Sequence, residues 1–230
     1  MLRDTEEMTM NLDFSVVLPY WFVLLKGLGL TLAFTTSCAV IGSIGGFVMS
    51  ILRMSPSRLI KALTTFYVQF FRGTPLLIQL FWVYFCFPIV FRLPIPPYLS
   101  VVISLTLYMV AITSETFRGA LKSISAEQHD ACIALSLSPH AKILYVIFPQ
   151  ALLRAVPPLL SNVVSLFKES ALISSVGVAD LMFVGENIST STARPVEFLT
   201  TVAIIYFLVA FPLTRLVGVV ESRMLRRYAY

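Results

Sequence analysis

The feature that most constrains this chain is a series of long apolar stretches with few charges, falling near Leu18–Leu52, Leu63–Phe91, Tyr98–Phe117, Ile143–Val184 and Phe198–Val220. Crossing the hydrocarbon of a bilayer takes about 20 apolar residues per helix, so each stretch is long enough to span. With 57% hydrophobic and 13% charged residues, the chain has too little polar surface to enclose a soluble core. Backbone N–H and C=O groups cannot stay unpaired in lipid, and the stretches lack the two-residue alternation of barrel strands. An all-α integral membrane protein with five spans is therefore expected, as a single domain over residues 1–230.

The individual spans carry further signals. The first is too long for one perpendicular helix, and Lys26 and Gly27 near its start point to an interfacial entry. Within it, Gly42 and Gly46 form a small-xxx-small pair that lets another helix approach closely. The second is interrupted by Arg72-Gly73-Thr74-Pro75. The fourth is interrupted by Arg154, Pro157-Pro158, Lys168 and Glu169, and the proline pair is expected to break it. Polar loops are expected over Arg118–Lys142 and Glu186–Glu197.

Sidedness follows from the basic residues. Arg53, Arg58 and Lys61, then Arg118, Lys122 and Lys142, then Arg223, Arg226 and Arg227 fall on one side of a five-span path, against Arg92 and Arg194 on the other. Cytoplasmic loops are enriched in Lys and Arg, which puts the acidic N-terminal tail (1–17) outside and the C-terminal tail (221–230) in the cytoplasm. The tail carries Asp4, Glu6, Glu7 and Asp13, unlike the basic start of a secretory signal, so the first helix is expected to be retained. A net charge of +5 spread between spans does not make a nucleic-acid-binding face.

Catalytic patterns are missing. No H-E-x-x-H is present, Gly42-Ser43-Ile44-Gly45 has the wrong order for a nucleophile elbow, and no Gly-rich loop ends in Gly-Lys-Ser/Thr. Cys38, Cys86 and Cys132 lie far apart without CxxC spacing, so neither a metal nor a disulfide is expected. An ATP-driven role would need the nucleotide bound on another subunit.

Four blocks carry a family resemblance. The segment Asp130-Ala131-Cys132 with Ser136, leading to Phe148-Pro149, resembles the "EAA" loop of bacterial ABC uptake permeases, with Asp for Glu, Cys for the second Ala and Ser for Gly. Arg72-Gly73-Thr74-Pro75-Leu76-Leu77-Ile78-Gln79-Leu80 resembles the "RGTPLLVQL" signature of the polar amino acid permeases, the histidine, glutamine and arginine branch. Glu115-Thr116-Phe117-Arg118-Gly119-Ala120 is similar to that family's "E-x-x-RGA", and Pro157 to Asn162 with Leu166 to Leu172 to its "PPLxN" and "LLKDTSL" elements.

The resemblance implies a type I ABC importer core of five helices in a bacterial inner membrane, moving polar amino acids by alternating access. Glutamine is the first choice of substrate and arginine or histidine the second. The implied partners are a second permease subunit, ATPase subunits carrying ATP and Mg, and an extracytoplasmic solute-binding protein. Asp130, Ala131, Cys132 and Ser136 would form a coupling helix for the ATPase, its small residues fitting a cleft and its acid favoured by the helix dipole.

Polar side chains inside a membrane are functional candidates by default, and Gln79, Tyr84, Glu115, Asn162, Lys168 and Glu169 are the candidates for the substrate pathway. Glu115 suits a substrate ammonium or an i,i+3 pair with Arg118. Asn162 suits a ligand or a tie between helix segments, and Arg72 an anchor for its turn. Lys168 and Glu169 are adjacent, so they point in different directions. An ion-driven transporter is the principal rival, disfavoured by five spans and no internal repeat; an intramembrane enzyme lacks a catalytic set.

Overall fold

A computed structural model describes residues 12–228, with side chains through Met224. Residues 1–11 and 229–230, which include most of the acidic N-terminal tail, lie outside the described residues. Every regular element among the described residues is helical. After a 3-10 segment, Phe14–Tyr20, come α1 (Trp21–Leu52), α2 (Arg58–Gly73), α3 (Leu76–Phe91), α4 (Pro97–Lys122), α5 (Ala126–Ala134), α6 (Pro139–Val176), α7 (Leu181–Thr192) and α8 (Pro195–Tyr228). Four of these, α1 with its 3-10 lead-in, α4, α6 and α8, are long and apolar enough to cross a membrane alone. The bent pair α2–α3 makes the fifth span, as the sequence predicts.

The glycine pair in α1 sets the closest helix approach. A Cβ built on Gly42 would lie 2.5 Å from Met109 Cβ, and one on Gly46 would overlap the Thr113 hydroxyl. Side-chain-free positions here let α1 and α4 run with their backbones almost touching. The Thr113 hydroxyl lies between two carbonyls, Met109 O at 2.7 Å within its own helix and Gly42 O at 3.0 Å across the contact. Cys38 and Ala39 of α1, Leu80 of α3, Val101, Leu105 and Met109 of α4 and Leu166 and Ile173 of α6 close into the main apolar cluster.

A second cluster joins the beginnings of α1 and α8 through α7, with Leu24, Leu181, Ile188, Phe198 and Val202 buried together. Helix α1 runs unbroken through Lys26 and Gly27. Gly27 is buried, and a Cβ there would stand 3.0 Å from Leu181 Cα. The glycine thus makes room for α7, whose start is capped by the buried Asp180 accepting from Phe183 N at 2.9 Å. Leu181 N donates to Thr31 Oγ1 at 3.0 Å, so α1 also serves the cap.

Two expectations fail. Helix α6 is not broken at Pro157-Pro158, which sit inside a continuous α-segment, Phe148–Glu169. Each proline removes one donor from the ladder and crowds the carbonyl four residues back. Packing in a membrane bundle can hold such a helix together. The break falls in the second span instead, where α2 and α3 meet at 107° across Thr74-Pro75. Pro75 cannot donate to α2 and its predecessor is driven to extended backbone, and Thr74 has φ −112° and ψ 142°. The second failure is the loop expected over Glu186–Glu197: α7 continues helical to Thr192, with Gly185, Ile188 and Ser189 buried.

Proline acts elsewhere through widened turns. Among the described residues two π-helical stretches occur, Trp82–Cys86 and Lys142–Ile147, and a proline stands two residues past the end of each, Pro88 and Pro149. A π-turn moves the crowded carbonyl away from the ring, so the helix continues through the proline.

Candidate functional site

The loop between α4 and α6 folds into α5, nine residues beginning after Ser125 in extended backbone with Glu127 in the first turn. Asp130, Ala131 and Ser136 are exposed, as are Ile133 and Leu135, whereas Cys132 is 3% exposed and turns into the protein. The end of α5 explains the Gly-to-Ser departure. Ser136 has φ +51°, Ser136 N donates to Ile133 O at 2.8 Å and Leu137 N to Cys132 O at 3.0 Å, a Schellman-type cap whose left-handed position glycine fills best. The helix is tied to α6 by Gln150 Nε2 donating to Gln128 Oε1 at 3.2 Å, and Arg154 of α6 donates to the carbonyl of Ser123.

The candidates inside the spans separate into structural ties and open positions. Gln79 is buried at the bend, where its amide donates to Phe71 O at 2.8 Å, Thr74 Oγ1 at 2.8 Å and Thr74 O at 3.0 Å. Those carbonyls are left free where α2 ends, so Gln79 replaces the missing ladder. Tyr84 is half-buried against the main cluster. Asn162 donates to Thr116 Oγ1 at 2.9 Å, tying α6 to α4.

Glu115 is held by arginines from three helix ends. Arg53 Nη1 donates to its Oε2 at 2.8 Å, Arg118 forms a two-pronged pair with both oxygens, and Arg72 stands 3.8 Å away. The i,i+3 pair with Arg118 predicted from the sequence forms, and Arg53 joins it from the end of α1. The family signature at Arg72, Gly73, Thr74 and Pro75 is thus the bend, with Arg72 reaching back toward α4. Gly119 has open space where a Cβ would stand.

Lys168 and Glu169 diverge as expected. Glu169 turns to α4, where Tyr108 Oη donates to its Oε1 at 3.0 Å, and its Oε2 is buried with no partner among the described residues. Lys168 lines a cavity of about 190 Å³ with Ser161, Ser165 and Thr214. No carboxylate lies within 4.0 Å of it among the described residues. Ser161, Ser165 and Lys168 are all exposed and follow i, i+4, i+7 spacing, a polar stripe along a membrane helix. The spacing is present in the sequence, but the two serines are too small to stand out singly.

The arrangement has the parts of a carrier: an exposed helix beyond the spans, a polar stripe on one span and a carboxylate with an open oxygen. The model of the family described as "Binding-protein-dependent transport system inner membrane component" matches residues 39–226. An arginine transport system permease protein of Bacillus subtilis, ArtQ, is 33% identical over 94% of this chain and 98% of that protein. The glutamine transport system permease protein GlnP of Escherichia coli is 31% identical over 94% and 99%. A crystal structure of an amino acid ABC transporter with histidines superimposes with a TM-score of 0.89 at 30% identity, covering 93% of this chain and all of that one. The chain belongs to the family of binding-protein-dependent transport system inner membrane components, as a permease subunit of the amino acid ABC transporter group.

Proposed function

We propose that this chain forms the membrane pathway of an ATP-driven importer for a polar amino acid, glutamine first and arginine or histidine second. The observation that carries the reading is Glu169. Of the two carboxylates on the candidate pathway, Glu115 is saturated by arginines, whereas Glu169 keeps a buried oxygen without a partner beside Tyr108. A buried acceptor left open is costly and suits a passing ammonium or guanidinium donor. Lys168 and the serine stripe of α6 supply the opposite charge and hydroxyls for an α-carboxylate.

In this reading α5 is the coupling helix. Asp130 and Ala131 meet a separate ATPase, Ser136 ends the helix, and Cys132 anchors it to the permease. A second permease subunit covers the exposed stripe, and a solute-binding protein delivers the amino acid from the side opposite α5. The basic ends of α1, α4 and α8 face the cytoplasm, which puts the N-terminus outside.

The test is uptake of labelled glutamine, arginine and histidine by proteoliposomes holding the chain with its ATPase and binding protein. Removing the charge by Glu169→Gln, which leaves only a neutral amide oxygen as acceptor, is expected to raise the KM about tenfold or more, the difference a charge-assisted hydrogen bond makes, while leaving ATPase binding intact. An unchanged KM for all three amino acids would overturn the role of Glu169.

A further inference from the structure

At the end of the bundle where α1 and α4 finish and α6 begins, an apolar cleft of about 310 Å³ opens between the three helices. Ile51 and Met54 form one wall, Leu121 another, and Ile143 and Leu152 the third. Ile51, Met54 and Ile143 are each more than half exposed, so the cleft opens outward and is not sealed in the core. Along the chain a cation adjoins a residue of each wall, Arg53 before Met54, Lys122 after Leu121 and Lys142 before Ile143, and a long lysine stem can carry its charge to the mouth of the cleft. Arg53 is paired with Glu115, but neither Lys122 nor Lys142 has a carboxylate within 4.0 Å among the described residues.

We propose that this cleft is a binding site for an anionic phospholipid, its acyl chain between the ends of α1, α4 and α6 and its phosphate against Lys122 and Lys142. The lining is apolar apart from Ser50, whose hydroxyl is spent on Phe47 O at 2.7 Å, and the lysines adjoining the walls along the chain, Lys122 and Lys142, have no carboxylate partner among the described residues. A molecule apolar along its body and anionic at its head matches both, and the surrounding membrane supplies one. Two walls of the site flank α5 along the chain, because α4 leads into that helix and α6 leaves it. A bound lipid therefore holds the frame from which α5 projects.

The full-length chain, stripped of lipid in detergent, is titrated with phosphatidylglycerol, phosphatidylcholine and inorganic phosphate, following its thermal unfolding midpoint and the retained adduct in native mass spectrometry. The expected result is a raised midpoint and a retained adduct with phosphatidylglycerol, much weaker effects with phosphatidylcholine and none with phosphate. Removing both cations by Lys122→Gln and Lys142→Gln is expected to weaken phosphatidylglycerol binding about 25-fold, from about fivefold per charge. Ile51→Trp, which fills the cleft from an exposed position, is expected to weaken both lipids. Equal binding of the two lipids, a shift reproduced by phosphate, or phosphatidylglycerol binding untouched by either change would overturn the site.

Discussion

Replacing Gly46 by alanine isolates what the close approach of α1 and α4 contributes. The new methyl would overlap the Thr113 hydroxyl and stand 2.8 Å from Thr113 Cβ and 2.9 Å from the backbone nitrogen of Ser114. Thr113 has little freedom to turn away, being fully buried with its hydroxyl between Met109 O and Gly42 O. The backbone of α4 would have to retreat, loosening Gly42 against Met109 one turn earlier. Overpacking of this kind costs about 1–3 kcal/mol, against about 1 kcal/mol gained from alanine's better helix propensity. Loss of the shared threonine hydrogen bond adds about 1 kcal/mol, so a net destabilisation of about 1–3 kcal/mol is expected. Gly29, on the same helix with nothing within 4 Å of its position, is the control: Gly29→Ala keeps the propensity gain without the clash. Denaturant unfolding in mixed micelles would compare the two variants with the parent. A Gly46→Ala protein as stable as Gly29→Ala would refute the close-packing argument.

Other perturbations test other levels. Glu115→Gln leaves Arg53 and Arg118 without their carboxylate and is expected to destabilise by about 2 kcal/mol in the same unfolding assay. Arg72→Gln, removing a half-exposed partner at 3.8 Å, should change stability by less than about 0.5 kcal/mol. Ser136→Gly removes the strain of a left-handed serine and is expected to steady the end of α5 by up to about 1 kcal/mol, visible as slower amide exchange at Ser136 and Leu137. Asp130→Arg is expected to release the ATPase in a pull-down while the permease still inserts, and retained ATPase binding would count against α5 as the docking helix.

Much of this architecture is legible in the chain because lipid imposes simple demands. The five spans follow from apolar length, and Gly42 and Gly46 announce a packed face because nothing else explains glycine at four-residue spacing inside a membrane helix. The Pro157-Pro158 pair misleads for a physical reason: the cost of a missing donor is judged from helices in water, whereas a packed bundle holds the helix through it. Thr74-Pro75 carries the same local signal and does break, because Gln79 is placed to take over the freed carbonyls of α2. That difference lies in tertiary partners. The same limit applies to Glu115. Its pairing with Arg118 is visible at i,i+3, but Arg53, 62 residues away, is invisible until α1 and α4 are laid side by side. The Glu186–Glu197 segment reads as a loop because its polar residues suit one, yet Gly185, Ile188 and Ser189 are buried on one face of α7, Ile188 packing with Phe198 and Val202 of α8, and a Cβ on Gly185 would meet Val202.

The most direct test of the central claim is transport energised in one way at a time. Proteoliposomes containing this chain, its ATPase and its binding protein are loaded with ATP and Mg, or instead given a proton or sodium gradient without nucleotide, and uptake of labelled polar amino acids is followed. Accumulation that requires internal ATP and the binding protein, and is indifferent to both gradients, is the predicted result. Uptake driven by an ion gradient in the absence of ATP would contradict it.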